Sequence, residues 1–146
     1  MQNTVTITAA ESKNKEAIIA LLQSENLPVE DLPVNLQHFF IASDNGVVIG
    51  AIGLEIYERE GLLRSLVVHP GYRKMKIAEE LVNEIERLGS AIGIEHIYLL
   101  TLTAQGYFTG KGYQLIERKD APQLLQQSSE FSHACPASAT LMKKNL

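Results

Sequence analysis

Three cations fall within four residues in His69-Pro70-Gly71-Tyr72-Arg73-Lys74-Met75-Lys76, directly after an apolar run. That run, Leu62 to Val68, is short and rich in branched residues, the pattern of a buried strand. Pro70 cannot donate to a strand ladder and Gly71 suits a turn, so the strand stops there. From Tyr72 the period becomes helical: Ile77, Leu81, Ile85, Leu88 and Ile92 form one apolar stripe, with Glu79, Glu80, Glu84 and Glu86 mostly on other faces. A helix that opens with Arg73, Lys74 and Lys76 offers unpartnered amides, the positive end of its dipole and three charges. Together these suit an anion. A solvated basic turn would carry the same residues, so both readings stand at this point.

Other reactive residue types are scattered. The histidines, His38, His69, His96 and His133, stand apart without metal-ligand spacing, so no metal is expected. No histidine is placed by sequence to activate Cys135, which precedes Pro136 and reads as packing or a strand entry. A single cysteine excludes an internal disulfide and fits a reducing cytoplasm. At 146 residues the chain fits one domain, 1–146, with 45% hydrophobic and 21% charged residues, as in ordinary globular proteins. The net charge of -4 and the lack of a long basic face argue against nucleic acid. There is no signal-like start and no apolar run long enough for a membrane span. A homodimer is compatible with such a chain, although no pattern demands one.

The elements that must position these residues follow in order. Thr4 to Thr8 alternates as a first strand, and Glu11-Ser12-Lys13 leads into a helix with Ala17, Ile18, Leu21 and Leu22 inward. Val29 to Gln37, between prolines, reads as a short helix or loop. Phe39 to Ser43 and Val47 to Tyr57 form a hairpin across Asp44-Asn45-Gly46. The helix from Tyr72 stops at Gly93, and His96 to Thr101 follows as a strand parallel to Leu62–Val68. Thr103 can cap a short helix carrying Tyr107 and Phe108; Tyr113 to Glu117 is a strand, Ala121 to Ser129 is helical with Leu124 and Leu125 inward, and Ala139 to Lys143 closes the sheet. The fold class is α/β, a mixed twisted sheet flanked by helices.

Leu66-Val67-Val68-His69-Pro70, followed by Arg73, Ile77, Ala78 and Leu81, resembles the acetyl-CoA-binding motif of GCN5-related N-acetyltransferases. That motif reads V-x-P-x-x-R-G-x-G-[IL]-[GA]-x-x-L. Here both glycines are lysines, Lys74 and Lys76, whose bulk obstructs a close approach and whose charge attracts a phosphate. Ala104-Gln105-Gly106-Tyr107-Phe108 through Gly112-Tyr113 is similar to a second family segment, in which a tyrosine protonates the departing thiolate; Phe108 holds that position here. Leu62-Leu63-Arg64-Ser65-Leu66, Tyr98 to Ala104 and the tail Glu130-Phe131 to Met142 resemble short arsenic-resistance N-acetyltransferase-like proteins.

The resemblance implies acetyl-CoA as co-substrate, its pyrophosphate on Arg73, Lys74, Met75, Lys76, Ile77 and Ala78, its pantetheine along Leu66, Val67 and Val68, and Phe108 beside it. The acceptor would be a primary amine on a small, amino-acid-like molecule. Aminolysis needs a base, and the family's usual glutamate near position 64 is Arg64, a fixed cation suited to an acid group. Glu55 then becomes the candidate base; it could also lie in water, or pair with Arg64 in a purely structural role. Thr101 and Thr103 are candidates to hydrogen-bond substrate or to cap the next helix. A non-catalytic acyl-CoA-binding regulator is the competing reading.

Overall fold

The computed structural model describes residues 5–27, 29, 32, 36–102, 104–128 and 139–146, with the side chains of Lys74 and Met75 left aside. Strands β1 (Val5–Ala9), β2 (Phe39–Asp44), β3 (Val47–Tyr57), β4 (Glu60–Val68), β5 (His96–Thr101), β6 (Gln114–Leu115) and β7 (Thr140–Asn145) form one sheet in the order β1-β2-β3-β4-β5-β7-β6. All neighbours are antiparallel except β4 and β5. The helices are α1 (Lys15–Ser24), α2 (Ile77–Ala91), α3 (Gln105–Gly110) and α4 (Gln123–Gln126). Thus the expected mixed sheet flanked by helices is found.

Strand alternation splits the core between the two faces. Leu63 and Val68 face α2 with Ile52, Leu54, Ile97 and Leu99, whereas Val67 and Ala51 face α1 with Phe39 and Ile41. On α2, Ile77, Leu81, Val82 and Ile85 are fully buried, each worth about 1.5–3 kcal/mol relative to exposure. Ile92 does not join them, because it caps the helix C-terminus and stays exposed. Ala17 and Leu124 are likewise exposed, each next to the residue that packs inward: Ile18 and Leu125. Glu86 departs the other way, accepting from the Tyr113 hydroxyl (3.0 Å) and Lys144 Nζ (2.9 Å) and so tying α2 to β7.

Turn chemistry fixes the registers. Asn45 and Gly46 both have positive φ, as a two-residue hairpin with the right twist requires. At Gly53 the opposing Phe39 ring lies where a side chain would be: an added Cβ would sit 2.5 Å from two ring carbons. Phe39 is 2% exposed and has little room to yield. Gly53→Ala should therefore cost about 1–3 kcal/mol, read as a lower midpoint in thermal melts. An unchanged midpoint would show that the ring can turn aside.

Three expected elements are shorter than the sequence suggests. The helix after Pro70 begins as a 3-10 turn, Pro70–Met75, and becomes α-helical only at Ile77. Residues 113–117 contribute just Gln114–Leu115 to the sheet, and the described part of the expected 121–129 helix, residues 121–128, just the single turn of α4.

Candidate active site

Strands β4 and β5 pair through only three residues each, Glu60↔His96, Gly61↔Ile97 and Leu62↔Tyr98. Beyond that root, β4 continues to Val68 and β5 to Thr101 without pairing to one another. The result is a fork whose β4 edge carries Leu63–Val68. His96 Nδ1 and Glu60 Oε2, 2.7 Å apart, clasp its root. Beside them the Tyr98 phenol is pushed up to about 12 by burial and the nearby Glu60 charge.

Within the fork β4 is bulged. From Ala51↔Val67 to Gly53↔Arg64, β3 advances two residues while β4 advances three, so Ser65 and Leu66 oppose Ile52 alone. Ser65 takes φ 59° to make this possible. Such a bulge bends its strand and re-aims the side chains on either side. It lies between Leu66–Val68, the expected pantetheine edge, and Arg64.

At the end of β4 the chain enters the basic loop. The His69 amide continues the ladder to Ile49 O (2.7 Å), and His69 Nδ1 accepts from the Gly71 amide (3.0 Å). The Tyr72 hydroxyl donates to Asp44 Oδ2 at 2.6 Å. After the 3-10 turn Lys76 adopts φ 59°, ψ 25°, and α2 starts at the next residue. A right-handed residue followed by a left-handed one turns successive amides toward a common point, an anion-binding nest, and here it leads into a helix N-terminus. The Arg73 guanidinium forms an ion pair with Glu25 at the end of α1, while Lys76 is exposed. No signal in the sequence ties Glu25 or Asp44 to this loop, to which they are brought only by the fold.

Arg64 and Glu55 come together on the α1 face of β4 and β3. Arg64 is 2% exposed, and its Nη1 lies 2.6 Å from Glu55 Oε2, while its Nε donates to Ser65 Oγ at 3.0 Å. Glu55 Oε1 accepts from the Tyr57 hydroxyl. Burial, reinforced by that carboxylate, holds the Tyr57 phenol well above its ordinary range, so it remains a donor. Tyr57 shares the strand face of Glu55 two residues on, a period-two signal that was present in the sequence. Of the readings open to Arg64, a clamp for an acid group or a structural partner of Glu55, the geometry matches the second: the side chain is buried and turned inward onto the Glu55 carboxylate. Glu55 retains an opening, since it lines a groove of ≈ 350 Å³ with residues 37–39, 54, 56 and 57.

The remaining expectations divide. Thr101 Oγ1 accepts from the Ala104 amide (2.9 Å) at the entrance of α3. Thr103 and Cys135 lie outside the described residues. Phe108 is a core residue, 4% exposed, with edge-on contacts to Tyr107 (5.1 Å) and Tyr113 (5.4 Å). Tyr107 is the exposed aromatic of the pair, its phenol raised by burial of its inner part and by Glu79 and Glu86. Among the described residues no group of three His, Cys, Asp or Glu could hold a metal ion, and no helix is long and apolar enough to cross a membrane.

Residues 8–110 match the sequence model of the acetyltransferase (GNAT) family. The chain belongs to that family. It is 27% identical over 140 residues to an amino-acid acetyltransferase of Pasteurella multocida, covering 90% of this chain and 32% of that protein. It is 33% identical over 96 residues to an uncharacterised N-acetyltransferase of Chlorobaculum tepidum, covering 65% of this chain and 61% of the other. The chain thus spans less than two thirds of the length of these curated relatives. Among solved structures, N-acetylglutamate synthase from Neisseria gonorrhoeae, complexed with coenzyme A and N-acetyl-glutamate, superposes with a TM-score of 0.84 at 19% identity. All of this chain and 36% of the synthase are covered. A Mycobacterium tuberculosis protein in complex with CoA gives 0.82 at 18% identity, covering 97% of this chain and 99% of that one. Both confirm the GNAT fold.

Proposed function

We propose that this GNAT domain transfers the acetyl group of acetyl-CoA to the primary amine of a small amino-acid-like molecule. The observation that carries the proposal is the fork between β4 and β5, which ends in the Lys76 nest and the start of α2. The open β4 edge would hold the pantetheine amides along Leu66 to Val68, and amides of residues 73–78 would hold the pyrophosphate. The bulge would bring a β4 main-chain donor to the thioester carbonyl, where negative charge develops. Glu55 would take the proton as the amine attacks, with Arg64 holding its carboxylate in place. Thr101 is part of the same proposal at the fork's β5 side. Phe108 cannot protonate the leaving thiolate, which leaves that step to solvent or to the neighbouring Tyr107.

The amino-acid part of the reading draws on the names of the relatives, and the resemblance of residues 62–66 adds phosphinic and organoarsenical amino acids to the acceptors worth testing. Release of free thiol from acetyl-CoA in the presence of such a panel, with acetylated product seen by mass spectrometry, tests it. Tight CoA binding with no acceptor-dependent thiol release would overturn it in favour of a non-catalytic acyl-CoA sensor.

Lys76 supplies a sharper expectation. The left-handed conformation of Lys76 costs about 1–2 kcal/mol with or without CoA, so glycine there should raise stability without by itself changing affinity. The exposed Lys76 ammonium contributes at most about 1 kcal/mol to phosphate binding and is screened by salt, whereas steric bulk in the nest costs about 1–3 kcal/mol at any salt. Lys76→Gly should therefore tighten CoA binding, on the order of five-fold, and more so at high salt. Calorimetric titration at two salt concentrations checks this; weaker binding at both would make Lys76 a phosphate ligand.

A further inference from the structure

An amino-acid acceptor brings an acid group as well as an amine, and Arg64 is not placed to receive it. The guanidinium is 2% exposed and already donates to Glu55 Oε2 and Ser65 Oγ. Pulling it out would strip Glu55 of its partner in a half-buried place. The groove of ≈ 350 Å³ beside this pair has no lysine or arginine among the described residues that line it. Glu55 and Tyr57 lie on one side of it; the Tyr57 proton is committed to Glu55. The other side is the turn before β2, with the exposed Gln37 and the half-buried His38. Two main-chain bonds fix that turn: Leu54 N–H to His38 O (3.0 Å) and Phe39 N–H to Leu36 O (3.0 Å). The side-chain amide of Gln37 and the imidazole of His38 are then side-chain donors in the groove that no carboxylate among the described residues engages.

We propose that Gln37 and His38 form the acid-group subsite of the acceptor site, so that the acceptor is bound as a zwitterion with its ammonium toward Glu55. The inference rests on the acetyltransferase reading above. Charge balance supports it. Glu55 and Arg64 already neutralise one another, so a simple amine or a simple acid would add a net charge to a partly desolvated groove, at a cost a zwitterion avoids. The subsite also explains how a site with a buried, internally paired arginine can still select for an acid.

The test uses L-amino acids and their α-carboxamides as acceptors, with wild type, His38→Ala, His38→Gln and Gln37→Ala. For the acid acceptors His38→Ala should raise KM about ten-fold with kcat nearly unchanged, and His38→Gln, which keeps a donor, should restore much of the loss. The carboxamides should show a high KM already in wild type, unmoved by His38→Ala. Equal effects on acids and carboxamides, or none on either, would overturn the proposal. If no amine releases thiol, the acetyltransferase reading itself fails. Binding of L-glutamate measured by calorimetry then decides the subsite, which is refuted if His38→Ala binds as tightly as wild type.

Discussion

Glu55→Gln should slow acetyl transfer by about 10²–10⁴-fold while leaving CoA affinity unchanged. The amide is close to isosteric and can still accept from Arg64, whose Nη1 lies 2.6 Å from the carboxylate. It can also still face the groove, but it cannot take a proton from the attacking amine. On the proposed function CoA would meet the protein at the fork and at the nest, neither of which includes Glu55, so cofactor titration serves as the internal control. A variant that keeps the wild-type rate would make Glu55 simply the partner of a buried arginine.

The second large effect is on stability, and it should be unequal for the two members of that pair. Glu55→Leu leaves a guanidinium enclosed at 2% exposure with its carboxylate gone, and breaking a buried pair in this way costs about 3–5 kcal/mol. Arg64→Met leaves the carboxylate instead, and 23% of that side chain is open, so water replaces part of what is lost. About 1–3 kcal/mol is the expectation there. The double variant should regain much of the Glu55→Leu loss, because two apolar side chains leave no unpaired charge. Thermal melts of the three variants decide the matter; equal losses from the two single changes would mean that solvent reaches Arg64 more readily than its burial indicates.

Periodicity carried most of the fold. The alternation in β3, the Asn45-Gly46 turn and the stripe on α2 each report local geometry directly, and the βαβ connection forces β4 and β5 to be parallel. What the sequence could not show is where the parallel pairing stops. Three pairs or six would fit the same residues, and the extent of the fork follows from how far the two strands twist apart. Similarly, Glu55 and Arg64 were legible as candidates and their pairing as one of the alternatives, but nothing local selected it: nine residues apart in sequence, they meet because the β3–β4 hairpin sets Glu55 against Leu62 and Gly53 against Arg64. The contacts of Glu25 and Asp44 with the basic loop span 48 and 28 residues and depend on tertiary packing alone. Ile92 and Ala17 mark the opposite limit, where a stripe was extended by one residue past its real face.

The placing of β7 bears on how the chain is made. In the sheet it lies between β5 and β6, yet it is the last strand in sequence, residues 140–145. Before it emerges from the ribosome, β5 has one neighbour, held by three parallel pairs, and β6 has none. Strands β1 to β4 with α1 and α2 already share antiparallel ladders of five to seven residue pairs by then and can begin to collapse as a unit. The outer edge of β5, Tyr98-Leu99-Leu100, stays unpaired throughout that interval and is an apolar template for other nascent chains. Slow translation through residues 102–139 should therefore cost more soluble protein than a pause of equal length before residue 60.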